Sequence, residues 1–221
     1  MNALVDPSKF IITRKRKKYR FALFNNADNC FELTDWQAAQ PSLKLKNLCV
    51  EIGAGTGLFL VEIAAKYPKK QFIALDVKAD RLQKGARVAL DKGLKNIYFV
   101  RARADQLLDV VKPGTVKEIW LTFSDPFPKK TDAKRRLTHP KLLDIYKNAH
   151  VSKNAKLFMK TDSHGLFDWS LEQLVVSGFP ICELSFDLHD SDLSDDYKIM
   201  TTYEQKWTRE GLPIYFVAAS R

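Results

Sequence analysis

The stretch Glu51-Ile52-Gly53-Ala54-Gly55-Thr56-Gly57 decides the fold. It closes a short apolar run, residues 47–52, and opens residues 57–66, where Leu58, Val61, Ile63 and Ala64 recur at helical spacing. A strand that turns through glycines into a helix is the entry unit of an open α/β sheet, whose ligands lie at the carboxyl ends of its strands. Glycine lets the backbone turn sharply and approach a ligand without Cβ clashes. The dinucleotide fingerprint needs glycine or alanine at position 58; this chain has Leu58, and its third glycine comes one residue early. G-x-G-x-G preceded by an acid instead suits S-adenosylmethionine, whose sulfonium and ammonium groups match the charge of Glu51. From the turn alone, methyl transfer, nicotinamide chemistry and non-catalytic binding all stay open.

Working outward, the alternation continues. Strands are expected at 71–76, 97–101, 116–122 and 155–160, with helices at 79–92, 140–151 and 166–176, the last ended by Gly178. Asp76 closes the second strand, where an ionised carboxylate has two acceptor oxygens for two ribose hydroxyls. At the third strand end, Arg101-Ala102-Arg103-Ala104-Asp105 adjoins the adenine end of such a ligand; Asp105 reads equally well as a helix N-cap. After Gly178 the rhythm changes: a strand at 183–188, a polar loop, a short helix from about residue 202, and a strand at 214–218. Two closing strands without a crossover helix predict a hairpin. The expected fold is therefore α/β and Rossmann-like, with a mostly parallel seven-stranded sheet and one antiparallel strand. Residues 1–45 read as an irregular basic extension ended by Pro41-Ser42, and residues 46–221 as one domain.

The fourth strand runs into Thr122-Phe123-Ser124-Asp125-Pro126-Phe127-Pro128-Lys129-Lys130. An acid locked between aromatic residues and prolines suits a site that grips a polar group. Lys129, Lys130, Lys134, Arg135 and Arg136 beside it suit a phosphate-bearing substrate. A proline-rich strand exit followed by a solvated charged loop is the competing interpretation.

Composition narrows the class. The 221 residues are 45% hydrophobic and 28% charged, with a formal net charge of +10. That bias favours a polyanionic partner. Its distribution is sharper: Lys9, Arg14, Lys15, Arg16, Lys17, Lys18 and Arg20 form one block, and residues 129–136 a second. No apolar run approaches the roughly 20 residues of a membrane helix, and no apolar leader marks a secretory signal. Cys30, Cys49 and Cys182 are odd in number and widely spaced, which fits buried or idle thiols in a reducing cytoplasm. The histidines form no ligand cluster, so no metal is expected.

With these motifs in view, the chain resembles bacterial tRNA (guanine(46)-N7)-methyltransferases from about residue 47 to residue 219. The most specific stretches are Phe123 through Lys130, Lys134-Arg135-Arg136-Leu137, Lys160-Thr161-Asp162, and Thr201-Thr202-Tyr203-Glu204. The resemblance implies a class I S-adenosylmethionine-dependent methyltransferase acting on a guanine of the tRNA variable loop, in the cytoplasm, as monomer or homodimer. It implies cofactor contacts from Glu51, Gly53, Gly55, Gly57, Asp76, Arg103, Ala104 and Asp125, with Asp125 also catalytic. Lys129, Asp162, Thr201, Thr202, Tyr203 and Glu204 match substrate positions, and Lys130, Lys134, Arg135 and Arg136 fall in a segment that contacts RNA. Phe127 stands where relatives usually carry tryptophan, and Asp76 where many carry glutamate. Arg103 occupies the place of an acid that contacts adenosine.

Simpler structural roles stand beside these. Asp162 could cap the following helix, Glu204 could pair with a lysine on its own helix face, and Tyr203 and Trp207, four apart, could be packing residues.

Overall fold

In the computed structural model the chain folds in order as α1 (Lys15–Asn25), β1 (Cys30–Glu32), α2 (Leu33–Leu43), β2 (Leu48–Ile52), α3 (Leu58–Lys66), β3 (Phe72–Asp76), α4 (Ala79–Asp91) and β4 (Ile97–Arg101). There follow α5 (Leu107–Val110), β5 (Val116–Thr122), α6 (Pro140–Ala149), β6 (Lys156–Thr161), α7 (His164–Val176), β7 (Ile181–Ser185), α8 (Thr202–Arg209) and β8 (Tyr215–Ser220). The structure describes residues 4, 6, 8, 15–150 and 154–221, without the side chains of Lys15, Arg16, Thr202, Tyr203 and Lys206. Lys9 and Arg14 of the first basic block, and Val151 at the end of the expected helix 140–151, lie outside the described residues.

The strands form one eight-stranded sheet in the order β1-β4-β3-β2-β5-β6-β8-β7. β8 pairs antiparallel with both β6 and β7, so it alone runs against the rest, as the closing hairpin predicts. β3 and β5 flank β2 on opposite sides. Strand order therefore reverses at β2, and a crevice opens beyond the carboxyl ends of β2 and β5.

Side chains alternate across each strand, and the two faces bury separate apolar clusters. Leu48, Val50 and Ile52 of β2 pack with Trp36, Val110, Tyr146 and Phe167, from α2, α5, α6 and α7. Cys49 packs on the opposite face with Phe24, Leu60, Ala64 and Ala86, from α1, α3 and α4. Glu51 is the next residue of β2 on the α3 side. Among the described residues no helix is long and apolar enough to cross a membrane.

Two expectations need correction. The stretch 1–45 is not irregular: its described part holds α1, β1 and α2, and β1 extends the sheet from seven strands to eight by pairing with β4. The dense cations of α1 hide the few apolar positions, Ala22 and Phe24, that anchor it. α2 runs through Pro41, which lacks one backbone donor but sits in the last turn, and ends instead at Lys44 with φ 49°. Trp36 fixes α2 by donating from Nε1 to the carbonyl of Val110 at 2.6 Å. The strand expected at 183–188 lies at Ile181–Ser185, where Ser220 donates to the carbonyl of Pro180 and sets its start.

Candidate active site

The glycine turn after β2 is held from three directions. Gly53, Gly55 and Gly57 have φ of 73°, 57° and 69°, a region costly for residues with a Cβ. The amides of Gly53 and Ala54 donate to the carbonyl of Leu75 at 2.8 and 3.0 Å. Behind the turn, a Cβ on Gly57 would sit 2.7 Å from Phe99, and one on Gly85 of α4 only 2.2 Å from the Thr56 carbonyl oxygen. Gly85 also donates its amide to that oxygen at 3.0 Å. In front, a Cβ on Gly55 would meet nothing within 4 Å, so this side stands open.

Asp76 ties the turn to β3. Its Oδ2 accepts from the Gly55 amide and its Oδ1 from the Lys78 amide, both at 2.8 Å. Burial raises its carboxyl above the usual range, and these two amides oppose the rise. Each oxygen keeps a lone pair for a further donor.

Glu51 is 1% exposed, and burial lifts its carboxyl from 4.5 to about 8. Oε1 accepts from the Thr122 hydroxyl at 2.5 Å, while Oε2 is buried with no hydrogen-bond partner. An orphaned acid oxygen, an open glycine and a strand-end carboxylate fit a ligand carrying a cation and a vicinal diol, as S-adenosylmethionine does.

Glu51, Asp76 and Asp125 line one cleft of about 510 Å³, together with Gly53, Gly55, Ala104, Arg135 and Thr201. On the β5 side, the chain leaves Thr122 through Phe123 (φ 49°) and passes Asp125 to Phe127 (φ 43°). Two bulky residues in the left-handed region bracket the acid. Asp125 is exposed at the tip of this turn. Arg135 lies over one face of the Phe127 ring, its guanidinium carbon 4.3 Å from the centroid.

The turn begins where the Phe123 amide donates to the Lys160 carbonyl at 2.9 Å, and the Lys160 side chain belongs to a buried ionic cluster. Lys160, at the end of β6, donates to both oxygens of Glu204 at 3.1 Å and to the carbonyl of Ile199 at 2.8 Å. Both ionic side chains are fully buried. Burial pushes the Lys160 ammonium below its ordinary range, and Glu204 pulls it back. His189 Nε2 lies 2.9 Å from Glu204 Oε1. The Thr201 amide donates to Glu204 Oε2, and the Glu204 amide donates to the Thr201 hydroxyl. Thr201-Thr202-Tyr203-Glu204 is thus a capping box that starts α8.

The remaining candidate positions divide. Lys129, Lys130, Lys134 and Arg135 are exposed, and residues Lys130–Arg135 form a 3-10 turn. Arg136 is buried at 8% exposure. Asp162 is exposed and does not cap α7, since the Ser163 hydroxyl accepts the Leu166 amide. Glu204 lies away from the cleft lining and pairs with a lysine of the sheet, not of its own helix face. Arg103 lies outside the lining too, its guanidinium gripped by Asp105 at 2.9 and 3.0 Å. The side chains of Thr202 and Tyr203 lie outside the described residues. Reading the sequence missed His189 and Gly85, and it quoted Lys160 and Thr122 within motifs without giving either a role. The S/T-x-x-E spacing was the one available signal for the capping box.

A family model described as a putative methyltransferase matches residues 45–217. The tRNA (guanine-N(7)-)-methyltransferase of Brevibacillus brevis is 38% identical over 171 residues, covering 77% of this chain and 79% of its own length. That of Bacillus subtilis is 36% identical over 166 residues, covering 75% and 76%. Among solved structures, the 16S rRNA methyltransferase KamB superposes with a TM-score of 0.63 at 16% identity, covering 88% of this chain and 96% of its own. A methyltransferase from Aquifex aeolicus described as SAM-dependent gives 0.54 at 16% identity, covering 97% and 98%. These two likenesses speak to the fold alone. Identity sustained across most of both chains is a stronger relation, and by it the chain belongs to the tRNA (guanine-N(7)-)-methyltransferase family.

Proposed function

We propose that this chain transfers a methyl group from S-adenosylmethionine to N7 of a guanine in tRNA, the variable-loop guanine at position 46. The observation that carries the reading is the convergence of Glu51, Asp76 and Asp125 on one cleft at the switch point of the sheet. When bound, S-adenosylmethionine supplies a methyl group on a positively charged sulfur. The unpartnered Oε2 of Glu51 receives the cationic amino-acid end, and the free lone pairs of Asp76 receive the ribose hydroxyls. Gly53 and Gly55 leave the backbone bare beside them, and Ala104 lines the adenine end.

Guanine N7 carries a free lone pair, so no residue has to remove a proton first. The protein contributes alignment and charge. Asp125 accepts from the Watson–Crick edge of the base, and Asp162 at the next strand end offers a second acceptor. Phe127 lines the cleft and offers its ring for stacking, worth roughly 1–3 kcal/mol per base. Lys129, Lys130, Lys134 and Arg135 stand in solvent beside the cleft, where they meet the phosphate backbone.

Incubation with unmodified tRNA transcript and labelled S-adenosylmethionine, followed by nucleoside analysis, tests the reading. Label is expected in 7-methylguanosine, and a transcript with adenine at position 46 stays unlabelled. Label in any other nucleoside overturns the reaction; label that survives the replacement overturns the position.

A further inference from the structure

Arg136 belongs by sequence to the run of cations assigned to RNA, yet it is turned inward. Its Nε donates to the carbonyl of Pro126 at 3.1 Å and its Nη2 to the carbonyl of Phe127 at 2.9 Å. The guanidinium carbon lies 4.6 Å from the centroid of the Trp169 ring on α7. These two carbonyls directly follow Asp125 in its turn, and Phe127 is one of the two left-handed residues that bracket it. Among the described residues, the backbone of 124–128 receives hydrogen bonds only from this guanidinium.

The residues next to Arg136 are anchored on the helices. Tyr146 of α6 donates its hydroxyl to the Leu137 carbonyl at 3.0 Å, and Thr138 and Ser170 of α7 share a buried hydrogen bond of 2.7 Å. Leu137 also backs the glycine turn, since a Cβ on Gly53 would lie 3.0 Å from its Cδ1. One short segment thus touches both the Asp125 turn and the Gly53 turn. We propose that Arg136 is a positioning residue: it holds the Asp125 turn in its strained form and in register with the glycine turn, and does not contact RNA. A planar guanidinium reaches two carbonyls as a fork, which an ammonium does not reproduce. The inference rests on the methyl-transfer reading above.

Arg136→Lys and Arg136→Gln are measured for kcat with tRNA, for S-adenosylmethionine affinity by calorimetry, and for the salt dependence of tRNA binding. Wild-type turnover in the same assay tests methyl transfer itself, so failure there is separate from failure of this inference. A displaced turn is expected to lower kcat roughly 10²-fold in both variants, because misplacing a reacting group by about 1 Å costs that much. Affinity for S-adenosylmethionine stays within about twofold, and the salt slope is unchanged in Arg136→Lys. Lys134→Gln and Arg135→Gln provide the contrast, each lowering the slope by about one unit. A phosphate contact predicts the reverse: Arg136→Lys turns over normally and Arg136→Gln loses a unit of slope. Either of those results overturns the inference. Loss of the fold in both variants overturns it as well, because a residue that sets one surface turn leaves the sheet standing.

Discussion

On one side of the cleft, Glu51 and Asp76 end sheet strands, and their oxygens meet amides and a hydroxyl from residues close by in the fold. On the other side, Asp125 stands exposed on a turn whose Phe127 carbonyl is held by Arg136 and whose Phe123 amide donates to the Lys160 carbonyl of β6. The first wall is rigid because the sheet and the glycine turn are rigid. The second is tied by the Arg136 guanidinium from the segment before α6, and Glu204, paired with Lys160, holds the amide of Thr201 at the cleft. The first wall is thus a property of the sheet, whereas the second depends on side chains that reach in from outside it.

Three perturbations would break or sharpen this contrast. Glu204→Ala strikes beneath the second wall and should have the largest effect. It leaves the buried Lys160 ammonium without its counter-charge, which costs about 3–5 kcal/mol. Urea denaturation measures it, and a loss below about 1 kcal/mol would show the cluster to be unimportant. Lys160→Met combined with Glu204→Leu should recover much of the loss.

Asp125→Ala strikes the tip of that wall and should separate turnover from stability. A fall in kcat of roughly 10²–10³-fold is expected, as for removal of one preorganised electrostatic group. Unfolding free energy should change by no more than about 0.5 kcal/mol, the usual range for an exposed site. Near-normal turnover would remove Asp125 from the chemistry.

Glu51 probes the first wall through pH. Its folded carboxyl titrates at about 8 against 4.5 for an ordinary one, so between those values the folded chain keeps a proton that the unfolded chain releases. The sign follows: its contribution to stability is complete below about pH 4.5 and is lost as pH rises through 8. Wild type should therefore weaken relative to Glu51→Gln over this window, by at most about 1.4 kcal/mol per pH unit. Parallel stability curves for the two proteins would place Glu51 in water.

The same contrast explains what could be read before the structure. The first wall follows from local pattern: a glycine turn, a strand-end acid and a two-residue alternation need only neighbours in sequence. The succession of strands and helices in the central part of the chain followed for that reason, and so did the placing of Glu51, Gly53, Gly55 and Asp76 at the strand ends and their turn. The second wall depends on contacts across long stretches of chain. Lys160 meets Glu204 forty-four positions away, and nothing near Arg136 distinguishes it from Arg135. A run of cations reads as one surface, but burial sorts its members, sending Arg136 inward and leaving Arg135 at the cleft. At the amino end the error was of the opposite kind, because so basic a run as α1 masks the two buried residues that hold it to the sheet.

The left-handed backbone at Phe123 and Phe127 carries a consequence for anyone seeking a hardier version of this enzyme. A non-glycine residue in that region costs on the order of 1–3 kcal/mol. Glycine or asparagine at Phe127 would remove much of that penalty, and a screen on heat resistance alone would favour them. Such a winner would melt a few degrees higher and modify RNA worse, having exchanged an aromatic wall for a relaxed turn.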